Sequence, residues 1–200
     1  MDLMKFLAFL LLPFAFCFLT ACRPAAKPKA ISKEPVSVND VPRTSQPMPP
    51  TKPIEEMTWA VMDTKTALQG DVFKLKDFEG KAVILDFWAT YCKPCIEEIP
   101  HLKELQKKYG KENLEIVGMH VGGEEDRPLV PAFVEKLAID YTLAIPEDEL
   151  TRFIFGRETA IPQTAVFDRR GRLVKKIIGF DAQVKKELDA AIEQAINSKS

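Results

Sequence analysis

Cys92 and Cys95, separated by two residues, are the side chains in this sequence whose types and spacing point most directly to chemistry. Two thiols at this spacing on one helical turn are close enough to form a disulfide of ordinary geometry. The thiolate of Cys92 could attack a disulfide in another molecule, and Cys95 could then release the mixed disulfide that forms. The pair therefore predicts thiol–disulfide exchange.

The residues around this pair predict a buried strand that passes directly into a helix. Residues 82–88 form a nearly continuous apolar run, as expected for a strand that is buried on both faces. Pro94 suits the first turn of a helix, where its missing N–H costs no hydrogen bond. We therefore expect Cys92 at the helix N-terminus, where free N–H groups and the helix dipole favour an anionic sulfur and lower the thiol pKa.

The rest of the sequence predicts an α/β domain that occupies residues 54–200. Arg169-Arg170-Gly171 between two apolar runs is typical of a hairpin, and Asp181 suits the N-cap of a last helix. Because strands and helices alternate before this hairpin, we expect a mixed central β-sheet with helices on both faces. The expected strands are 59–62, 71–75, 82–88, 114–121, 142–145, 163–168 and 173–178, and the expected helices run from the cysteine pair to Tyr109, over 127–137, over 147–155 and after Asp181.

The start of the chain predicts an export signal. The apolar run 6–19 follows Lys5 and is short for a membrane span, as in a signal peptide. Leu19-Thr20-Ala21-Cys22 resembles the lipobox of bacterial lipoproteins, in which the cysteine receives lipid and becomes the new N-terminus. We therefore expect a signal peptide at 1–21 and lipidation of Cys22. Cleavage by an ordinary signal peptidase and an uncleaved anchor are the alternatives.

Residues 22–53 predict a disordered tether, because they hold eight of the fifteen prolines and few large apolar side chains. Two or more acyl chains would anchor the protein stably, and export would place the cysteine pair where disulfides persist. The domain that follows carries more acidic than basic residues, so no nucleic-acid partner is expected. The expected location is a bacterial membrane, with the domain facing the periplasm or the cell exterior.

Two segments of the sequence resemble the thioredoxin superfamily, and in detail its membrane-tethered bacterial reductases of the TlpA and ResA type. The segment DFWATYCKPCIEEIP carries the strand, both cysteines and Pro100 in the order of that family. The segment Ala160-Ile161-Pro162-Gln163-Thr164 is similar to the loop whose cis proline packs beside the disulfide. The resemblance runs from about Ile54 to the C-terminus and implies a thioredoxin-like fold.

The resemblance also implies roles for the residues nearest the cysteines. Cys92 is expected to be the attacking thiolate and Cys95 the resolving thiol. Asp86, six residues before Cys92, matches the buried acid that accepts a proton from the second cysteine. The physics agrees, because a carboxyl inside an apolar strand is desolvated and its pKa rises toward neutrality. Glu98 matches an acidic residue of the ResA pattern and is expected to share that task. The alternative for Asp86 is a strand-edge acid held by hydrogen bonds, and the alternative for Glu98 is a solvated helix residue.

A second group of residues is expected to meet the client protein. By position, Pro162 would be the cis proline, and the backbone of Ile161 would pair with the client. Trp88 and Tyr91 would shape a docking groove, with simple packing as the alternative. Tyr91 replaces the tryptophan that is usual in the family, and Lys93 stands where thioredoxin has glycine. These differences leave the redox potential and the partner open.

The resemblance implies a thiol–disulfide oxidoreductase, most simply a reductase of cysteines in exported client proteins. Clients could be apocytochromes c or copper-site assembly proteins, and a donor of the DsbD or CcdA type would pass electrons across the membrane. An oxidase or isomerase of the same fold is the nearest alternative.

A thiol peroxidase and a copper-binding chaperone are more distant alternatives. The P-x-x-x-T-x-x-C pattern of a peroxidatic cysteine is absent from the sequence. Metal binding would need ligands besides the two cysteines. The sequence offers His101, which is expected at the surface, and His120, which is expected to be structural. Neither a metal site nor a cofactor is expected.

Overall fold

The computed structural model describes residues 51–198. The predicted signal peptide, Cys22 and nearly all of the predicted tether lie outside the described residues. Within residues 51–198, no helix combines the length and the apolar character that crossing a membrane requires.

The described residues form strands, helices and three short 3₁₀ helices. The strands are β1 Thr58–Met62, β2 Gln69–Lys74, β3 Ala82–Trp88, β4 Leu114–His120, β5 Thr142–Pro146, β6 Gln163–Phe167 and β7 Leu173–Ile178. The helices are α1 Lys93–Tyr109, α2 Val130–Leu137, α3 Asp148–Phe155 and α4 Ala182–Ile196, and the 3₁₀ helices are Ile54–Glu56, Leu75–Phe78 and Arg127–Leu129.

All seven of these strands pair into one mixed sheet with the order β2-β1-β5-β4-β3-β6-β7. Strands β3, β4 and β5 are parallel to one another, whereas β6, β7, β1 and β2 each join an antiparallel pair. One face of the sheet packs with residues of α1, α2 and α4, and the other packs with residues of α3. This arrangement confirms the predicted mixed sheet with helices on both faces.

The central strand β3 is buried at every position, as its apolar sequence predicts. Because successive side chains of a strand point to opposite faces, Ile84, Asp86 and Trp88 share one face. Ile84 and Trp88 belong to the core cluster that contains residues of α1 and both cysteines. Asp86 is therefore directed toward the α1 side of the sheet.

The helix predicted at 127–137 has an irregular first turn. It begins as the 3₁₀ helix Arg127–Leu129, in which the N–H of Val130 bonds the carbonyl of Arg127. Pro131 has no N–H and cannot donate the next bond of an α-helix to that carbonyl. The regular helix α2 therefore starts only at Val130.

The first and last described segments lie at opposite ends of the parallel strands. Trp59 at the start of β1 pairs with Pro146 at the end of β5, so the chain enters at the carboxyl edge of the parallel strands, where β3 also ends. At the other edge, Arg169 donates one bond to the carbonyl of Ile196 (2.7 Å) and another to that of Gly80 (2.8 Å), two residues before β3. The end of α4 is thus fixed beside the start of β3.

Candidate active site around the cysteine pair

The cysteine pair lies where the central strand passes into helix α1. Cys92 is the N-cap of this helix, and its Sγ accepts a hydrogen bond from the N–H of Cys95 at 3.3 Å. The two residues form a disulfide with a Cα–Cα distance of 5.3 Å. A backbone N–H is therefore already directed at the sulfur that would carry negative charge after reduction.

The two sulfurs differ in their access to a client. Cys92 is 6% exposed and Cys95 is 1% exposed, so only the first side chain offers surface to another molecule. This difference agrees with the predicted roles, in which Cys92 attacks and Cys95 resolves from within the protein.

Asp86 lies in the middle of β3, between Gly118 of β4 and Thr164 of β6 in the register of the sheet. Its side chain is buried, and neither carboxyl oxygen has a hydrogen-bond partner among the described residues. Burial raises the pKa of Asp86 to about 7. The group can therefore gain or lose a proton near neutral pH.

Glu98 is the second buried acid, and it lies one helical turn after Cys95 on α1. Burial raises the pKa of Glu98 well above its usual value, the charge of Asp86 raises it further, and a hydrogen bond from Thr164 lowers it. That bond runs from the Thr164 hydroxyl to Oε1 at 2.8 Å. Since Thr164 is also the β6 neighbour of Asp86, it links the two acids in space.

Gly118, the β4 neighbour of Asp86, leaves space for three side chains that pack against it. A Cβ atom at this position would lie 2.7 Å from a methyl of Leu143, 2.9 Å from Nε1 of Trp88 and 3.1 Å from the ring of Tyr141. Burial raises the pKa of Tyr141, and the charges of Asp86 and Glu98 raise it further. Sequence reasoning misses Gly118 and Tyr141, because their positions depend on strand pairing that local patterns do not define.

The loop before β6 carries the residues predicted to meet a client backbone. The Ile161–Pro162 peptide bond is cis, as the family resemblance implies. The partly buried Ile161 packs against the same core cluster that contains both cysteines. Gln163 holds the loop, because its side-chain amide donates to the carbonyl of Ala160 at 3.0 Å.

The two aromatic residues predicted to shape a docking groove have different environments. Tyr91 is 67% exposed, directly before Cys92, and is available to another molecule. Trp88 is 1% exposed and stacks on Phe133 at a ring distance of 5.1 Å. The prediction that Trp88 contacts a client is therefore not supported, since its ring is covered by the protein's own core.

The two histidines are held by acidic partners. His101 was expected at the surface, but it is buried, and its Nε2 lies 2.7 Å from the carboxylate of Asp189 in α4. The surface prediction was wrong because α4 packs over this part of α1. His120 is also buried and lies 2.9 Å from a carboxylate oxygen of Asp126.

The fold and the cysteine pair together place this chain among the thioredoxin-like thiol–disulfide oxidoreductases. The chain belongs to the Redoxin family, whose model matches residues 43–192. It is of the TlpA and ResA type, since it is 35% identical over 130 residues to a thiol-disulfide oxidoreductase ResA of Bacillus cereus. That alignment covers 64% of this chain and 72% of the relative.

Two further comparisons agree with this assignment. The ResA of Geobacillus thermodenitrificans is 36% identical over 111 residues, which are 56% of this chain and 62% of that protein. Among solved structures, a thiol:disulfide interchange protein of the thioredoxin family from Chlorobium tepidum TLS has a TM-score of 0.58 at 27% identity. It covers 73% of this chain and 98% of its own.

Proposed function

We propose that this oxidoreductase works as a reductase of disulfides in exported client proteins. The observation that carries the proposal is the pair of buried acids beside a buried resolving cysteine. Glu98 lies one turn after Cys95, and both Asp86 and Glu98 have raised pKa values because they are buried. Negative charge on either acid disfavours ionisation of Cys95 in the reduced pair, in addition to the charge of the Cys92 thiolate. The reduced form is therefore not strongly stabilised, which is the property of a reductant.

The reaction cycle would start with the reduced pair. The Cys92 thiolate attacks one sulfur of a client disulfide, and the other client sulfur leaves as a thiolate that takes up a proton. Cys95 then loses its proton to the buried acid pair and attacks Cys92. The second client sulfur leaves as a thiolate, which takes up the proton held by the acid pair. The client gains two electrons and two protons, and the protein returns to the Cys92–Cys95 disulfide. A membrane electron donor of the DsbD or CcdA type would reduce that disulfide again.

The reduction potential of the pair tests the direction of this cycle. We expect a value below about −220 mV, closer to thioredoxin at about −270 mV than to DsbA at about −120 mV. It can be measured in dithiol buffers by Trp88 fluorescence, because Trp88 shares a core cluster with both cysteines. A value near about −120 mV would instead assign the oxidase or isomerase activity of the same fold.

We further propose that the protein is lipid-anchored through Cys22 at a bacterial membrane, with its domain facing the periplasm or the cell exterior. The lipobox-like segment Leu19-Thr20-Ala21-Cys22 and the proline-rich residues after it support this location. Apocytochromes c and copper-site assembly proteins are the proposed clients, in agreement with the family resemblance.

A substitution at the proposed lipid site tests the anchor. We expect the wild-type protein to incorporate a labelled fatty acid and to sediment with membranes, because two acyl chains give stable anchoring. The Cys22→Ala variant should incorporate no label and should lose the cleavage that depends on lipidation. Equal labelling of both proteins would refute the anchor but would leave the oxidoreductase activity unaffected.

A further inference from the structure

A buried carboxylate outside the acid pair holds the turn that leads into Cys92. Asp126 precedes the 3₁₀ helix Arg127–Leu129, and it is 5% exposed. Its Oδ2 accepts a hydrogen bond from the N–H of Thr90 at 2.9 Å, and its Oδ1 accepts one from the Thr90 hydroxyl. Nε2 of His120, at 2.9 Å from the same Oδ2, is the third partner.

These partners keep the Asp126 side chain ionised. Burial acts to raise its pKa, but the hydrogen bonds from Thr90 and His120 outweigh burial, so the pKa of Asp126 lies below its usual value. An ionised carboxylate only accepts hydrogen bonds, so His120 donates through Nε2–H. Charge-assisted bonds of this kind are about twice as strong as neutral ones.

The surrounding chain is shaped around this carboxylate. A Cβ atom at Gly122 would collide with the Asp126 side chain, so glycine at 122 permits their close approach. His120 is the last residue of β4, and its ring contacts that of Trp88 edge-on at 5.3 Å. The carboxylate is thereby fixed to the ends of the two central strands β3 and β4.

The segment held by Asp126 is short and leads directly to the attacking sulfur. Thr90 lies between the end of β3 and Cys92, and the N–H of Cys92 bonds the carbonyl of Ala89 at 3.2 Å. Tyr91, which lies between Thr90 and Cys92 in the chain, is exposed to solvent. Movement of Thr90 would therefore shift both the exposed aromatic ring and the helix-capping sulfur.

We propose that Asp126, supported by His120, is a positioning residue that holds Thr90 and so places Cys92 for attack on a client disulfide. Its contribution acts through the turn at residues 89–91 and not by contact with the client. Loss of the Thr90–Asp126 bonds would let Cys92 move away from the N–H of Cys95, which stabilises its thiolate.

A Thr90 series in the full-length protein tests this proposal. Thr90→Val removes the hydroxyl that bonds Asp126 but keeps the side-chain shape, whereas Thr90→Ser keeps a hydroxyl. We expect Thr90→Val to lower kcat/KM for disulfide reduction about tenfold, since small misplacements of a reacting group have effects of this size or larger. It should also move the pH midpoint for alkylation of Cys92 upward. Thr90→Ser should stay close to the wild type in both measurements.

Asp126→Asn is the second test variant, and Asp168→Asn is its matched control. Asp168 is also a buried carboxylate, and it accepts the N–H groups of Arg170 (2.9 Å) and Arg172 (3.0 Å) in the β6–β7 hairpin at the opposite edge of the sheet. Both substitutions should lower the melting temperature, but only Asp126→Asn should lower kcat/KM.

The proposal is overturned if Thr90→Val and Asp126→Asn change only the melting temperature. It is also overturned if Thr90→Ser is as impaired as Thr90→Val, since the hydroxyl would then have no role. The alkylation profile requires no client protein. A wild-type potential that contradicts the reductase proposal would therefore leave this test of Cys92 placement intact.

Discussion

Replacement of Cys95 by serine should trap client proteins on Cys92, and replacement of Cys92 by serine should abolish exchange. In the Cys95→Ser variant the more accessible sulfur, that of Cys92, can still attack, but no second thiol remains to release the mixed disulfide. Turnover should therefore stop after one equivalent of client. Non-reducing electrophoresis and mass spectrometry of the adduct would detect the trapped species.

The Cys92→Ser variant is the matched control for this trap. The remaining sulfur of the active-site pair belongs to Cys95, which is 1% exposed in the disulfide form and is poorly placed to meet a client. The Cys92→Ser variant should form little adduct under the same conditions. A variant with both Cys92→Ser and Cys95→Ser should form none at the active site. A larger yield of adduct from Cys92→Ser than from Cys95→Ser would reverse the assigned roles of the two thiols.

Replacement of both Asp86 and Glu98 should slow the release of the client and remove the dependence of the release rate on pH. General acid–base catalysis contributes about 10²–10⁴-fold, so Asp86→Asn with Glu98→Gln should lower the resolution rate about a hundredfold or more. Burial raises the pKa of Asp86 to about 7, and its ionised form accepts the proton of Cys95. The wild-type rate should therefore rise as pH increases through 7, and the double variant should lack this rise.

Glu97→Gln is the control for this experiment, because Glu97 is the exposed neighbour of Glu98 on α1. It should retain the wild-type rate and pH profile. Single-turnover release of a preformed mixed disulfide measures the step directly. Identical rates for the wild type and the double variant from pH 6 to pH 9 would eliminate the proposed role of the acids.

The same Asp86→Asn substitution should stabilise the oxidised protein above pH 7. The folded state keeps Asp86 protonated up to about pH 7, whereas the exposed carboxyl of the unfolded chain has an ordinary pKa of 3.8. Between these values the folded state binds the extra proton, so the free energy of unfolding falls as pH rises. At pH 8 the free energy of unfolding of the variant should be higher by on the order of 4 kcal/mol.

Denaturant unfolding at pH 4 and pH 8 measures this difference. At pH 4 the folded wild type carries a neutral carboxyl, so the advantage of the variant should nearly disappear. The exposed Asp71 provides a control, since Asp71→Asn should change stability little at either pH. An Asp86→Asn variant that is less stable than the wild type at pH 8 would contradict the raised pKa.

The strand and helix that position the cysteines were predictable because every signal for them is local. Residues 82–88 are apolar except for Asp86, Pro94 suits a first helical turn, and Gly110 ends α1. The structure places β3 and α1 accordingly. The β6–β7 hairpin was predictable for the same reason, with Gly171 at a φ of 73° in its turn. Such elements can be predicted without knowing how the strands pair in the sheet.

Contacts between distant segments could not be predicted in this way. Thr164 lies beside Asp86 and donates a hydrogen bond to Glu98 only because β6 pairs with β3 in one register, and local sequence patterns do not determine that register. Asp126 reaches Thr90 across 36 residues. His101 was expected at the surface because it follows Pro100 on a helix, whereas Asp189, 88 residues later, covers it. These interactions are set by packing between elements and not by patterns within them.

The position of the two described ends allows a choice of orientation on a solid support. The first described residues lie beside the carboxyl end of β5, on the same side of the sheet's strand ends as Cys92. Helix α4 ends at the opposite, amino ends of the parallel strands, near Gly80. Coupling to an electrode or sensor chip near Ser198 would turn the disulfide toward the solution, and coupling near Thr51 would turn it toward the surface. Currents recorded in the first orientation would report exchange with dissolved clients, and those recorded in the second would favour direct electron transfer from the electrode.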